Sequence, residues 1–170
     1  DVSPEELAKK LTFSGTEVES IQIIGGDFKG VIVGEVLSID KHPDADNLIV
    51  CRVGTGKEEA RVVCGAHNFN VGDRVPLALV GAKLPNGMEI SERKVRGVLS
   101  RGMLCAEDEL GLSDDHSGIL LLSRDIPAGT PFSEVAGPPE TVLSVEITWN
   151  RPDCLSIIGV AREVAALLGA

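Results

Sequence analysis

Apolar and polar positions alternate differently at the two ends of the chain and in its middle. Residues 3–6 read Ser-Pro-Glu-Glu, which predicts a capped helix start and a helix that ends near Gly15. Residues 17–23 and 142–148 alternate with a period close to two, which predicts strands with one exposed face. A second helix is predicted near the end of the chain, with Asp153 as its cap. Helix plus strand, followed much later by strand plus helix, predicts one small α/β layer.

The middle of the chain, from residue 31 to about residue 123, predicts short strands separated by turn residues. Residues 94–112 are expected to open as the last long barrel strand, over residues 94–98, to pass through two glycines and to close as a short acidic helix. Five or six short strands with a helix before the last are typical of a small closed barrel of OB type. The predicted fold is therefore mainly β: an OB-type five-stranded β-barrel at residues 39–140, inserted in a small split α/β domain at residues 1–38 and 141–170. The candidate strands are residues 31–39, 48–53, 60–64, 74–80, 88–98 and 119–122.

Charge is distributed unevenly along the sequence. The formal net charge is −10, which argues against a generic nucleic-acid binder, because phosphate contacts require lysine and arginine. Between residues 83 and 101, however, five basic residues stand against two glutamates. Such a basic patch can orient a polyanion, and the alternative is a solvated strand face. Its members are Lys83, Arg93, Lys94, Arg96 and Arg101.

The aromatic content limits the kind of RNA binding that this patch can support. The chain has no tyrosine, one tryptophan and four phenylalanines. OB surfaces that bind single strands usually stack bases on aromatic rings, so an avid, sequence-blind single-strand binder is disfavoured. Contact with a folded RNA through its phosphates needs fewer rings and is compatible with this composition.

Catalytic and metal sites are not predicted. The polar run at residues 42–48 and the neighbouring Cys64 and His67 lack the further groups of a catalytic set, and turn and strand-end roles explain them. The four cysteines form no Cys-x-x-Cys pair, so we expect no zinc site and mostly buried, reduced thiols of a cytoplasmic protein.

No apolar run approaches the ~20 residues of a membrane helix. Because the first residue is Asp1, we expect a piece of a longer protein.

Six segments, taken in order along the chain, carry a resemblance to a known family. They include His-Pro-Asp-Ala-Asp-Asn-Leu at residues 42–48 and Asn-Arg-Pro-Asp-Cys-Leu-Ser at the start of the last segment. Together they resemble the N-terminal region of the bacterial phenylalanyl-tRNA synthetase β subunit, and the two outermost segments single out the β subunit. The segments are residues 11–19, 42–48, 63–68, 81–85, 94–112 and 150–166.

The resemblance implies an inserted OB-type tRNA-binding domain in an α2β2 enzyme that joins phenylalanine to its tRNA with ATP and Mg²⁺. The implied partners are tRNA(Phe) and the α subunit. Catalysis would lie elsewhere in that enzyme, so this fragment is expected to hold no catalytic residue, metal or cofactor. Its expected role is tRNA contact or assembly, with the five residues of the basic patch on phosphates and Asn68 as a polar contact. The alternatives are a pure scaffold with little RNA contact and a free-standing tRNA-binding OB protein.

Overall fold

The computed structural model describes residues 2–26 and 28–169 of the chain. Its internal contacts divide the chain into two compact units, one formed by Asp1–Ile24 with Glu140–Ala170 and the other by Gly25–Pro139. We call them the split unit and the barrel unit. In chain order the elements are α1 (Pro4–Phe13), β1 (Glu17–Ile24), β2 (Val31–Lys41), β3 (Ile49–Gly54), β4 (Glu59–Cys64), β5 (Arg74–Ala78), β6 (Arg93–Val95), β7 (Val98–Ser100), β8 (Met103–Leu104), α2 (Phe132–Ala136), β9 (Glu140–Glu146), a 3₁₀ turn (Pro152–Leu155) and α3 (Ile157–Leu168).

The barrel unit is a nearly closed five-stranded antiparallel barrel, which confirms the predicted OB-type fold. The strand order is β4-β3-β2-β5-β8. The long strand β2 pairs with β5 through its first half and with β3 through its second half, and the register shifts between Val36 and Ser38. A bulge of this kind bends a strand strongly enough for one strand to serve two neighbours around a barrel. On the far side, the Arg101 N–H donates to the Arg61 carbonyl at 2.8 Å and brings the end of the sheet towards β4.

Buried side chains of β2, β3 and β4 fill the barrel interior. Val36, Cys51, Val53 and Val62 are completely buried, while the residues between them on β3 and β4 face outwards. A second cluster covers one end of the barrel, where the rings of Phe28 and Phe132 meet edge to face with centroids 4.9 Å apart.

Three predicted elements of the barrel unit were wrong. Residues 88–98 are not one strand, because β6 and β7 form a separate two-stranded hairpin whose turn consists of Arg96 and Gly97, both at positive φ. Residues 119–122 make a single bridge, from Leu122 to Arg74, rather than a strand. Residues 107–111 form turns rather than a helix, because their backbone hydrogen bonds span three, four and five residues in mixed order.

The observed units begin and end at different residues from the predicted domains. The predicted boundary at 38/39 falls inside β2, which pairs along its whole length with barrel strands, whereas the chain leaves the split unit after Ile24. At the other end, the units change between Pro139 and Glu140, close to the predicted 140/141. Asp1, Asp27 and Ala170, which the predicted split domain includes, lie outside the described residues.

The split unit pairs β1 with β9 in an antiparallel sheet, as the alternation predicted. Ser3 caps α1 by accepting the Glu6 N–H at 3.2 Å, which confirms the predicted helix start. The predicted cap of the last helix was wrong: Ser156 caps α3 by accepting the Gly159 N–H, while Asp153 accepts from Arg151 instead.

Among the residues that the structure describes, no helix has both the length and the apolar character needed to cross a membrane.

Candidate nucleic-acid interface

Two loops of the barrel unit meet beside the β6–β7 hairpin. The first loop, residues 42–48, joins the first and second barrel strands, and the second loop, residues 79–102, joins the fourth and fifth. In OB folds these two loops flank the outer face of the second and third strands, where oligonucleotides bind. The hairpin lies entirely within the second loop. The structure therefore places all five residues of the predicted basic patch in a loop that is used for nucleic-acid binding in this architecture.

His42 connects the two loops. Its imidazole is 5% exposed, and its Nδ1 accepts the Asp44 N–H at 3.1 Å. Because Nδ1 is an acceptor, Nε2 carries the proton of the neutral ring and donates it to the Val95 carbonyl, also at 3.1 Å. One side chain therefore holds the first loop in its turn and fixes strand β6 of the hairpin against it. This explains the polar run at residues 42–48 structurally, without a catalytic role.

Three residues of the predicted patch share the hairpin. Arg93 and Lys94 are consecutive in β6 and therefore point to opposite faces, and Arg96 occupies the turn with φ of 44°. All three are exposed, and none forms an ion pair with another described residue. The hairpin is thus a small cationic projection in a chain of net charge −10.

The other two basic residues of the patch lie away from the hairpin tip. Lys83 forms a backbone bridge with Glu89 and lines an open cleft together with Lys29. Arg101 follows β7 and forms an ion pair with Glu92, with Nε 2.8 Å from a carboxylate oxygen. The patch that is continuous in sequence is therefore divided in space, and Arg101 already has a partner of opposite charge.

Asn68 has a structural role in this geometry. Its Nδ2 donates to the Ile119 carbonyl at 2.8 Å, and its Oδ1 accepts the Ile119 N–H at 2.9 Å. Both ends of the amide are therefore used to hold the segment around Ile119 against the barrel. A Cβ on the neighbouring Gly118 would approach this amide to 2.5 Å, so the segment packs closely on Asn68. The structure thus gives Asn68 a structural role, and its contact with RNA stays a prediction.

Two further arginines were missed by the sequence analysis. Arg52 of β3 and Arg61 of β4 are exposed residues that lie directly opposite each other in the sheet register. Opposite residues of an antiparallel pair point to the same face, so both guanidinium groups extend from the outer face of the barrel. Each occupies an outward position between buried neighbours, and that alternation was the available signal. Only the register of β3 against β4 shows that the two arginines are adjacent.

Among the described residues of the barrel unit, no cysteine has a lowered pKa. Burial raises the pKa of Cys51 and of Cys105 to about 12, and it also raises the pKa of Cys64. Cys64 accepts the Ala66 N–H at 3.4 Å, and His67 is exposed. Within residues 2–26 and 28–169, no three His, Cys, Asp or Glu side chains are grouped so that they could hold a metal ion. All four cysteines are free.

Comparison with known proteins agrees with this architecture. Residues 31–131 match the family described as putative tRNA binding domain. The phenylalanine–tRNA ligase beta subunit of Syntrophus aciditrophicus is 46% identical over 99% of this chain, and that of Anaeromyxobacter dehalogenans is 51% identical over 98%. The chain spans 21% of the length of each of these relatives.

Among solved structures, the MetRS related protein from Pyrococcus horikoshii shares 21% identity with this chain, with a TM-score of 0.45 over 59% of the chain and 85% of its own length.

The curated relatives confirm the resemblance to the phenylalanyl-tRNA synthetase β subunit that the sequence segments indicated. By the match over its barrel, the chain belongs to the family of putative tRNA-binding domains, and along almost its whole length it is similar to phenylalanine–tRNA ligase β subunits.

Proposed function

We propose that the barrel unit binds tRNA through phosphate contacts made by the hairpin. The observation that carries this proposal is the cationic hairpin, which belongs to the second loop and which His42 fixes against the first loop. Both loops border the OB ligand face. A family of tRNA-binding domains supports RNA as the polyanion. Arg93, Lys94 and Arg96 supply the contacts, while Lys83 and Arg101 contribute from the sides. Because such contacts read phosphates, they position an RNA without selecting its sequence.

We further propose that the chain serves as the tRNA-binding and assembly part of a phenylalanine–tRNA ligase β subunit. The support is identity of about half over nearly the whole chain to subunits of that name. The parent would be a cytoplasmic α2β2 enzyme that attaches phenylalanine to tRNA(Phe) with ATP and Mg²⁺. Among the described residues, no three His, Cys, Asp or Glu side chains are grouped so that they could hold a metal ion.

A variant without the hairpin charges tests the tRNA proposal. We suggest Arg93→Gln and Lys94→Gln combined with Arg96→Asn, because asparagine tolerates the positive φ at position 96. Its affinity for a fluorescently labelled tRNA(Phe) transcript, measured by anisotropy at low salt, should fall by roughly tenfold or more, since each lost exposed ion contact costs about 0.5–1 kcal/mol.

The matched control removes three positive charges from the split unit instead, with Lys9→Gln, Lys10→Gln and Arg162→Gln. This control has the same net charge as the hairpin variant and should bind tRNA almost as well as the unmodified chain. An equal loss of tRNA affinity in the two variants would show that binding depends only on the net charge of the chain, and it would overturn the proposal.

A scaffold role is the second candidate function, and the surface of the split unit favours it. Of fourteen large hydrophobic side chains that are exposed among the described residues, ten belong to the split unit. The four most solvent-exposed of the ten are Trp149, Phe13, Ile157 and Leu155. Monomeric proteins rarely leave so much apolar surface in contact with water. We infer that this unit is covered by another part of the ligase in the assembled enzyme, and the two roles are compatible.

A further inference from the structure

The outer face of β3 and β4 carries the missed arginine pair at its centre. Cys51 and Val53 flank Arg52 along β3, and both point into the core, so the guanidinium of Arg52 projects outwards. Arg61 projects in the same direction from β4, because it is the register partner of Arg52. This is the face that the two loops border, and it is the face on which OB barrels bind oligonucleotides.

Two like charges placed directly opposite each other in a sheet oppose folding. Arg52 is partly compensated, since its Nε donates to the Ser38 hydroxyl at 2.9 Å and its Nη1 lies 3.6 Å from a Glu59 oxygen. The Arg52 and Glu59 side chains are both 54% exposed, so that pair is weak. The Arg61 guanidinium has no hydrogen bond or ion pair with any other described residue. The arrangement therefore lacks an internal counterion for its second arginine.

We propose that Arg52 and Arg61 bind backbone phosphates of an RNA that crosses β3 and β4 on its way to the hairpin. The proposal rests on the proposed tRNA-binding function and names its second contact surface. A planar guanidinium presents a fork of N–H donors that matches a phosphate. The surface from the arginine pair to the hairpin is continuous. The Arg101 N–H donates to the Arg61 carbonyl, and Arg101 directly follows β7 of the hairpin.

The neighbours of the pair indicate how the RNA is recognised. Val50 and Val63 are the half-buried outward neighbours along the two strands, and neither offers an aromatic ring on which a base could stack. The nearby carboxylates are Glu59 and Asp40, and Asp40 accepts the Ser38 hydroxyl at 3.3 Å. The surface therefore reads phosphates and not bases, so its contribution should be the same for any folded tRNA.

Arg61→Gln is the cleanest test, because it removes a charge without breaking any side-chain hydrogen bond or ion pair among the described residues. The exposed Arg162→Gln in the split unit has the same change of charge and serves as the control. We expect Arg61→Gln to weaken binding of a labelled tRNA(Phe) transcript by roughly two- to fivefold, the size of one exposed ion contact. The slope of log affinity against log salt should become shallower by about one. A second, non-cognate tRNA transcript should lose affinity by the same factor.

The outcomes separate this inference from the function on which it rests. If the unmodified chain binds tRNA and the hairpin variant binds it weakly, but Arg61→Gln behaves like Arg162→Gln, the arginine-pair surface is wrong and the hairpin proposal stands. If the unmodified chain does not bind tRNA even at low salt, both fall. A urea midpoint of Arg61→Gln that is unchanged or higher supports a ligand role, because removal of the repulsion should not destabilise the sheet. A clearly lower midpoint together with normal tRNA affinity would show that Arg61 is structural.

Discussion

His42 illustrates how one buried side chain can organise a binding surface without touching the ligand. Its two ring nitrogens are committed to Asp44 and Val95, which belong to the two loops beside the proposed RNA face. A polar group that loses its partner inside a protein costs more than the bond itself contributed, because it has also lost its water. The position of the hairpin therefore depends on a residue that lies more than fifty positions earlier in the chain.

We predict that His42→Ala lowers the free energy of unfolding of the barrel unit by about 2 kcal/mol, because the Asp44 N–H and the Val95 carbonyl lose their partner. Circular dichroism during urea unfolding would measure the change. His67→Ala is the control, since His67 is exposed and close in sequence. Equal stability of the two variants would show that the His42 bonds do not hold the loops.

Asp73 gives the barrel unit a defined acid sensitivity. Hydrogen bonds from the Arg124 guanidinium, at 2.7 Å and 3.2 Å, and from the Asn70 N–H lower the pKa of the Asp73 carboxyl below its usual value. The unfolded chain therefore takes up this proton at a higher pH than the folded chain does. The stability that Asp73 contributes is present above its ordinary pKa, about 4, and is lost as the pH falls through the lower folded value.

Asp73→Asn should accordingly be less stable than the unmodified chain at neutral pH, and the difference should shrink as the pH falls below about 4. Urea midpoints measured at several pH values between about 3 and 7 would follow it. Asp46→Asn, at an exposed position of the same unit, has the same charge change and should show a small, constant difference. A difference for Asp73→Asn that is constant across this range would contradict the role of the Arg124 contact.

The arrangement of the candidate site residues was only partly predictable from the sequence. Arg93, Lys94 and Arg96 could be grouped because they are neighbours in sequence and remain neighbours in the hairpin. Arg52 and Arg61 lie on different strands, and nothing in the local sequence indicates that the register places them opposite each other. The structural bonds of Asn68 were not predictable for a related reason, since its partner Ile119 lies fifty-one positions further along the chain.

At the scale of elements, the hairpin depends on its two-residue turn. Arg96 and Gly97 both have positive φ, at 44° and 88°, which is the conformation of a type I′ turn that follows the twist of the strands. Glycine and asparagine favour this turn, and an arginine at its first position is unusual. The backbone at Arg96 therefore carries some strain in order to present the guanidinium at the tip of the hairpin.

Gly97→Ala should disturb the hairpin locally, because an alanine in the left-handed region costs about 1–2 kcal/mol. We expect faster hydrogen exchange of the amides in β6 and β7, with the exchange of β3 and β5 unchanged. Arg96→Asn is the contrasting variant, and it should slow or preserve exchange in β6 and β7. Unchanged exchange in Gly97→Ala would show that this turn does not limit the stability of the hairpin.

Elements of the barrel were predictable where turn residues separate short, strand-like segments. β2 to β5 were predicted with errors of at most two residues at their ends. Residues 88–98 were also predicted as one strand, but the sequence does not distinguish a strand of the barrel from a hairpin in a separate sheet. The turn at Arg96 and Gly97 was not recognised in the sequence, because it lacks the Asn-Gly pair that usually marks a two-residue hairpin turn. The acidic residues 107–111 were misread because charge content alone does not determine hydrogen-bond spacing.

At the scale of the whole molecule, the two units differ in how completely they bury their apolar residues. The barrel unit has two internal clusters, whereas the buried positions of the split unit are few and include Ala8, Leu11 and Cys154. Small units that bury little surface are only marginally stable alone. If the chain is part of a ligase, as proposed, the split unit should gain stability on assembly.

Trp149 offers a direct report on that assembly, because it is the one tryptophan of the chain and its side chain is fully exposed. Its fluorescence in the chain alone should be readily quenched by acrylamide. Mixing with a preparation of the α subunit, or extension of the chain to the length of its relatives, should reduce the quenching if this surface becomes covered. Quenching that stays the same in both cases would contradict an assembly role for this surface.

The central claim is that the chain binds tRNA through phosphate contacts centred on the hairpin, and the salt dependence of binding tests it most directly. Affinity for a tRNA(Phe) transcript should be measured between about 50 and 200 mM salt for the unmodified chain and for the triple hairpin variant. We predict that log affinity falls linearly with log salt, and that the triple variant has a slope shallower by about two to three. Absence of binding at the lowest salt, or equal slopes for the two proteins, would contradict the claim.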